Sequence, residues 1–193
     1  MYKFFPLINV IILMVTAFII PLVRKKNITK KLSMISNIII LILSVFVLIN
    51  VVRFGDFHFQ AGYPNTFFGI DWYIGSVESI FSVLFAFVSL LIIGYSLTSI
   101  EKEVPNEKID FYYLLINLLT ASLLGIIYTN DLFNSYVFIE VSTLAACGII
   151  AIKDKKANIK ATIKYLIMST VGSGLILMAI AYIYSITGHL NMS

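Results

Sequence analysis

LSMISNIIILILSVFVLINVV, residues 32–52, is an uncharged apolar stretch. An α-helix that crosses the hydrocarbon core of a membrane, roughly 30 Å thick, needs about 20 residues of this kind. Together with this stretch, the sequence has six such spans, at approximately residues 4–23, 32–52, 77–97, 111–128, 132–152 and 161–186. The pattern predicts an all-α, polytopic membrane protein of about six transmembrane helices in a single transmembrane domain.

The overall composition agrees with this fold class. Of the 193 residues, 60% are hydrophobic and 12% are charged, and the mean hydropathy is +0.96. Soluble domains are about 25% charged, so a soluble single-core fold is excluded. The net charge of +4 comes from basic residues that lie in short loops between the spans, which argues against nucleic acid as a partner.

The basic residues also predict the orientation of the chain. Eleven of the 14 Lys and Arg residues fall in the loops after the first, third and fifth spans. Because cytoplasmic loops are enriched in Lys and Arg, these loops are predicted to be cytoplasmic. The prediction is a multi-pass protein of the plasma membrane with both termini outside.

The connection between the second and third spans is long and aromatic. Its sequence, FHFQAGYPNTFFGIDWYI at 57–74, has turn residues between two aromatic runs and predicts a hairpin or an interfacial loop. Tyr and Trp favour the membrane–water interface, so an aromatic belt is a simpler interpretation than a ligand pocket.

No cofactor or metal site is predicted. The single cysteine, Cys147, lies in an apolar block, and the histidines His58 and His189 are far apart in the sequence without ligand-like neighbours. No nucleotide loop or nucleophile–base spacing is present. The sequence therefore predicts no catalytic site of its own, and redox chemistry would belong to partner subunits.

Three ionisable residues lie inside the predicted spans, where each costs about 2.5–3.5 kcal/mol on insertion scales. Glu78 is near a span end, where it serves as a boundary residue or has a function. Glu140 is too deep to reach the surface, so it must face a partner, a water-filled cavity or another helix, as a proton carrier or as neutral interhelical glue. Thr143, on the same face, bonds either to Glu140 or to its own helix. Lys164 either snorkels to the interface or relays protons.

Small residues on the last two spans predict close helix packing. Ser142 and Ala146 are four apart on the fifth span, and Gly174 lies four residues after Thr170 on the sixth, with Gly172 beside it. Such spacings let helix backbones approach each other in a membrane.

The motifs DLFNSYVFIE at 131–140, IKY at 163–165 and TGHLNM at 187–192 resemble the antiporter-like subunits of complex I and its relatives. The resemblance is greatest to the D-type component of Mrp cation/proton antiporters and its counterparts in membrane-bound hydrogenases. YPNTFFGIDW at 63–72 is similar to the approach to the family's third helix. Those subunits are fourteen-helix proteins, so the resemblance implies the first helices of that fold, truncated or split before the family's seventh helix.

The resemblance implies roles for individual residues. It identifies Glu140 with the fifth-helix glutamate of proton translocation and Lys164 with the sixth-helix lysine of the same path. Thr143 and Glu78, which come from the reading of the spans and not from the resemblance, are candidate supporting residues. The expected function is part of a proton-translocating subunit of an Mrp, hydrogenase or NADH:quinone oxidoreductase-like assembly. Its expected partners are other membrane subunits, the lipid bilayer, and protons with or without sodium. The alternative is a structural or assembly subunit that transports nothing, since the family's seventh-helix lysine has no counterpart in these residues.

Overall fold

The computed structural model describes residues 2–23, 25–61, 70–153 and 155–192. Within these ranges lie six helices that are long and apolar enough to cross a membrane. They are α1 (Phe5–Val23), α2 (Lys26–Phe54), α3 (Ser76–Glu103), α4 (Ile109–Tyr128), α5 (Leu132–Ala151) and α6 (Lys156–Thr187). A hairpin of β1 (Phe57–Ala61) and β2 (Ile70–Ile74) joins α2 to α3. The predicted all-α fold of six membrane helices is confirmed.

Three helices extend further into the basic loops than their apolar spans predict. α3 continues to Glu103, whereas its apolar stretch ends at residue 97. α2 begins at Lys26 and α6 at Lys156, whereas the apolar stretches begin at residues 32 and 161. The long Lys stem can stay on the helix while its ammonium reaches a polar partner. Lys30, inside the added turns of α2, donates to the Leu97 carbonyl at 3.0 Å and to Glu101 at 2.7 Å.

Helix ends follow local capping chemistry. Asp131 precedes α5, and its carboxylate accepts from the Asn134 N–H at 2.7 Å. This bond satisfies one of the amide donors that the first turn of a helix leaves unpaired. α6 ends at Thr187 and is followed by Gly188, which adopts a left-handed conformation with φ of 73° that glycine reaches without steric cost.

The helices pack around α4. α4 contacts α1, α2, α3 and α5, and α2 packs between α1 and α3. α5 covers the outer side of α4, and α6 packs mainly on α5. As a result α1 to α4 form a four-helix core, while α6 leaves most of its apolar surface exposed.

The four-helix core is lined with small polar side chains. The buried positions of α3 include Ser79, Ser82, Ser89 and Ser96. At mid-depth, Asn37 Nδ2 donates to Asn117 Oδ1 at 2.8 Å, and Asn117 Nδ2 donates to Ser33 Oγ at 3.0 Å. Ser89 Oγ also donates to Asn37 Oδ1. Hydrogen bonds of this kind join helices where lipid supplies no hydrophobic driving force.

The aromatic connection forms an antiparallel hairpin, which confirms the hairpin prediction over its described residues. Phe59 pairs with Trp72, and the Trp72 side chain is buried. Trp72 also forms an isolated bridge to Thr129, so the hairpin is tied to the α4–α5 connection. Tyr63, Phe67 and Phe68 of the predicted aromatic belt, and most of the 63–72 motif, lie outside the described residues.

The two ends of the bundle differ in character. The hairpin face is the end that carries β1, β2, residues 129–131 and residues 188–192. The basic face is the opposite end, where the loops rich in lysine join α1 to α2, α3 to α4 and α5 to α6. On the basic face, Lys153 pairs with Glu103 at 2.6 Å in addition to the Lys30–Glu101 pair.

Candidate functional site

The seam between α5 and α6 contains a pair of hydroxyl groups. Ser169 Oγ of α6 donates to Thr143 Oγ1 of α5 at 3.4 Å, and Thr143 is buried. The bond links Thr143 across the seam, whereas the sequence suggested a bond to Glu140 or to the carbonyl of its own helix. Ser169 was not singled out by sequence, because the several hydroxyl residues of this apolar helix do not show which of them faces α5.

Glu140 is half-buried on α5, about one turn from Thr143 toward the hairpin face. It lies about 12 Å from the start of α5 and about 17 Å from its end at the basic face. Among the described residues Glu140 makes no ion pair. Its carboxyl group is therefore held at mid-depth next to the seam, without a described cation to neutralise it.

Lys164 lies on the face of α6 that points away from α5. The less exposed residues of α6 form one stripe against α5 that includes Thr162, Leu166 and Ser169. At 100° per residue, Lys164 is about 160° around the helix from Leu166, and its side chain is exposed. The described structure therefore does not bring Lys164 into contact with Glu140.

The hydroxyl pair sets the relative depth of the two ionisable residues. Glu140 lies three residues from Thr143 toward the hairpin face, and Lys164 lies five residues from Ser169 toward the basic face. With 1.5 Å of rise per residue, Glu140 and Lys164 differ in depth by about 12 Å. The Thr143–Ser169 pair is the polar contact at intermediate depth.

Glu78 caps the start of α3. Its Oε2 accepts from the Gly75 backbone N–H at 3.0 Å, and Ser79 Oγ donates to the Gly75 carbonyl at 2.8 Å. A glutamate three residues into a helix commonly accepts from the backbone that precedes it. This contact matches the boundary-residue interpretation, and a supporting role in proton transfer stays a prediction.

The predicted packing residues lie in different environments. Ser142 and Ala146 are half-buried, and Ser142 Oγ donates to the Ile139 carbonyl at 2.7 Å. Gly172 and Gly174 are exposed on α6, and no described atom beyond their chain neighbours and the nearby backbone of α6 lies within 4 Å of where a Cβ would be. Their packing role stays a prediction that requires a surface beyond the described residues.

Close packing occurs instead between α4 and α5. A Cβ on Gly125 would lie 2.6 Å from the ring of Phe138, and a Cβ on Gly148 would lie 2.8 Å from Leu115. Phe138 is two residues from Glu140, so this contact helps to set the position of the glutamate. Gly125 follows Ala121 by four residues, a small-residue spacing that could have indicated this close packing, but the prediction covered only the fifth and sixth spans.

A buried carboxylate, Asp71, ties together the hairpin face. Asp71 Oδ2 accepts from Asn130 Nδ2 at 2.8 Å and from Asn191 Nδ2 at 3.5 Å, and it contacts His58 Nδ1 at 3.2 Å. The Asp71 carbonyl accepts from the Asn130 N–H at 2.9 Å. We call Asp71 and these three residues the Asp71 latch. It joins three connections of the chain, and sequence reasoning missed it because its members are distant in sequence.

Known proteins resemble this chain in sequence and in fold. The family described as "NADH:quinone oxidoreductase/Mrp antiporter, TM" matches residues 129–193. NADH-quinone oxidoreductase subunit N of Desulforudis audaxviator is 37% identical over 136 residues, which are 70% of this chain and 26% of the relative. The D component of the Na(+)/H(+) antiporter of Alkalihalophilus pseudofirmus is 28% identical over 179 residues, 93% of this chain and 36% of the relative.

The fold also matches that of one chain in a solved structure. A chain of the Mrp complex from Dietzia sp. superposes with a TM-score of 0.86 at 20% sequence identity, over 98% of this chain and 35% of that chain. The chain thus spans about a third, or less, of the length of the proteins it matches. It belongs to the family of antiporter-like membrane subunits that includes the D component of Na(+)/H(+) antiporters and NADH-quinone oxidoreductase subunit N.

Proposed function

We propose that this chain is part of a proton-translocating subunit of an Mrp- or complex I-related assembly, with Glu140 as a proton carrier. The observation that carries the proposal is the position of Glu140: half-buried at mid-depth beside the α5–α6 seam. An ionisable residue at this depth is expensive in a membrane and is usually retained for function. Membership of the antiporter-like family supports the same role.

The hydroxyl pair supports a path that leads from Glu140 toward the basic face. Thr143 and Ser169 offer a donor and acceptor about one turn from the glutamate, on the side of the basic face. Hydroxyl groups can both donate and accept, so they can orient waters that carry a proton. Any such path would run along the α5–α6 seam.

Lys164 is the proposed second proton carrier and lies nearer the basic face than Glu140. Because it lies on the face of α6 opposite to α5, it would exchange protons with Glu140 only through groups packed on that outer face. In the proposed assembly, another helix or subunit covers that face. Lys164 snorkelling alone to the interface is the competing account.

The proposal includes a location and a set of partners. The basic face is cytoplasmic and the hairpin face is outside, in a plasma membrane, following the Lys and Arg distribution. Other membrane subunits and lipid cover the exposed apolar surface of α6. Protons are the transported species, with sodium as the candidate coupling ion by analogy to the Na(+)/H(+) antiporter relative.

The test replaces Glu140 by glutamine in the assembled complex. The amide keeps the size of the side chain and cannot titrate, so proton-coupled transport into proteoliposomes should fall by about a hundredfold or more. Glu107→Gln is the matched control, because Glu107 is an exposed glutamate at the basic face. The complex with this substitution should transport protons at the normal rate. Full transport by the Glu140→Gln complex, measured with a pH-sensitive dye, contradicts the proposal.

A second candidate is a structural or assembly subunit that transports nothing. It is favoured by the open small-residue surface of α6 at Gly172 and Gly174, which offers close approach to another helix. Under this alternative, Gly172→Leu or Gly174→Leu dissociates the complex, while Glu140→Gln leaves both the complex and its transport intact.

A further inference from the structure

A cleft at the basic face contains both positive and negative side chains. It lies where α1 ends and where α2 and α4 begin, and its volume is about 620 Å³. Cavities of about 300–1,000 Å³ are the usual size for the binding of small ligands. The cleft is lined by Pro21, Lys26, Asn106, Glu107, Asp110 and Phe111. We call it the α1–α4 cleft.

Two of the lining side chains, Lys26 and Asp110, are half-buried and carry opposite charges. Neither forms an ion pair with another described residue. One carboxylate oxygen of Asp110, Oδ1, is buried without a hydrogen-bond partner in the described part of the chain. Lys26 attracts Glu101, but that exposed carboxylate is already paired with Lys30 at 2.7 Å. The cleft therefore presents one positive and one negative group, and no described residue neutralises either.

The depth of the α1–α4 cleft matches the level of lipid headgroups. The apolar stretch of α1 ends at residue 23 and that of α4 begins at residue 111, so Lys26 and Asp110 lie just beyond the hydrocarbon. The headgroup layer on each side of a bilayer is about 5–7 Å thick. Phe111 lines the cleft and Phe18 lies one turn from Pro21 toward the membrane centre, and both rings are more than half exposed. Charged groups at headgroup depth thus adjoin an apolar surface, which suits an amphipathic lipid better than a soluble ligand.

We propose that the α1–α4 cleft binds the headgroup of phosphatidylethanolamine, a zwitterionic phospholipid with a primary ammonium group. Lys26 binds the phosphate, and the Asp110 carboxylate accepts a hydrogen bond from the ammonium. The acyl chains lie along the exposed rings of Phe18 and Phe111. Hydrogen bonds between ionised groups are about twice as strong as those between neutral groups, so the two charged contacts determine which headgroup binds.

The same chemistry distinguishes this lipid from other common phospholipids. Phosphatidylcholine carries the same two charges, but its quaternary ammonium has no N–H to donate to Asp110. Phosphatidylglycerol offers a phosphate to Lys26 but no cation to Asp110. Glu107 and Asn106 are exposed at the rim of the cleft, where water solvates their polar groups and contacts to charges contribute little. Binding therefore depends on the half-buried pair, Lys26 and Asp110.

The proposal is tested by native mass spectrometry of the assembled complex, delipidated and then titrated with phosphatidylethanolamine. Asp110→Asn keeps the size of the side chain and removes its charge, so the affinity for one lipid per copy of this chain should fall about tenfold or more. Glu107→Gln is the matched control, because it removes an exposed carboxylate from the rim of the same cleft and should leave that affinity unchanged. Equal affinities of the two variants overturn the proposal.

The unaltered complex provides checks that do not depend on a variant's assembly. Glycerophosphoethanolamine, the soluble headgroup without acyl chains, should not displace the lipid at equal concentration, and displacement would show that a soluble zwitterion is the ligand and overturn the proposal. In a cryo-EM map of the complex with phosphatidylethanolamine, a phosphate beside Lys26 and acyl chains along Phe111 support the site. An empty cleft, or a lysine or arginine of another subunit beside Asp110, refutes it.

Discussion

Replacing Gly125 by alanine should weaken the contact between α4 and α5. The new Cβ would lie 2.6 Å from two ring carbons of Phe138 and 2.7 Å from a third. Carbon atoms in contact are normally about 3.5–4.0 Å apart, so the ring or the helix must move by about 1 Å. The Phe138 ring is buried, with 7% exposure, and has little free space into which to move.

The change in unfolding free energy caused by Gly125→Ala is the sum of two opposing contributions. Overpacking of a filled site costs about 1–3 kcal/mol, and exchanging glycine for alanine within a helix returns about 0.8–1.0 kcal/mol. Gly94→Ala on α3 is the matched control, because no described atom lies within 4 Å of its added Cβ. Since both variants gain the helical term, the difference between them isolates the overpacking cost of about 1–3 kcal/mol.

The assay is thermal unfolding of the two variants in the same detergent. A difference of about 1 kcal/mol corresponds to about 2–4 °C for a protein of this size, so Gly125→Ala should melt about 2–12 °C below Gly94→Ala. Adding Phe138→Leu to Gly125→Ala removes the ring and should recover part of the loss. If Gly125→Ala melts at or above Gly94→Ala, the proposed close contact between α4 and Phe138 is wrong.

Three further perturbations test other contacts. Asn117→Leu removes the hydrogen bonds that join α4 to Asn37 and Ser33 of α2 and should cost about 2 kcal/mol in unfolding free energy, and an unchanged melting temperature would contradict the mid-depth network. Asp71→Asn should speed hydrogen exchange in both hairpin strands, because the latch loses its charged acceptor; exchange at the normal rate would show that the latch is unimportant. The hydrogen bond to Asp56 raises the pKa of Tyr73, so Asp56→Asn should lower that pKa toward its ordinary value in an NMR titration. The stability from this bond is present below the unfolded tyrosine pKa and is lost as pH rises through the folded pKa.

The existence of the helices was predictable, whereas their ends were less so. Apolar stretches mark the parts of the chain that lie in hydrocarbon, and all six correspond to helices. Hydropathy cannot show that α2 continues back to Lys26 or α6 to Lys156, because a lysine-rich turn is helical but not apolar. The polar contacts of those turns, such as Lys30 with Glu101, depend on a helix far away in sequence.

The depth of Glu140 within α5 was predictable. The helix faces on which Lys164 and the partner of Thr143 lie were not. Counting residues from the ends of α5 is enough to place Glu140 far from both surfaces. The direction of Lys164 depends on which side of α6 packs on α5, and a helix that is apolar all round gives little indication of that side. The partner of Thr143 was unpredictable for the same reason, since Ser169 reaches it only through the seam.

The Asp71 latch has a consequence for the order of synthesis. Asn130 follows Asp71 by 59 residues and Asn191 follows it by 120. At translation rates of about 5–20 residues per second, Asn130 emerges about 3–12 s after Asp71, and Asn191 about 6–24 s after it. Until Asn130 emerges, the carboxylate has only His58 as a latch partner, and Asn191 joins the latch last. The hairpin face of the molecule is therefore completed only after its sixth helix has been synthesised.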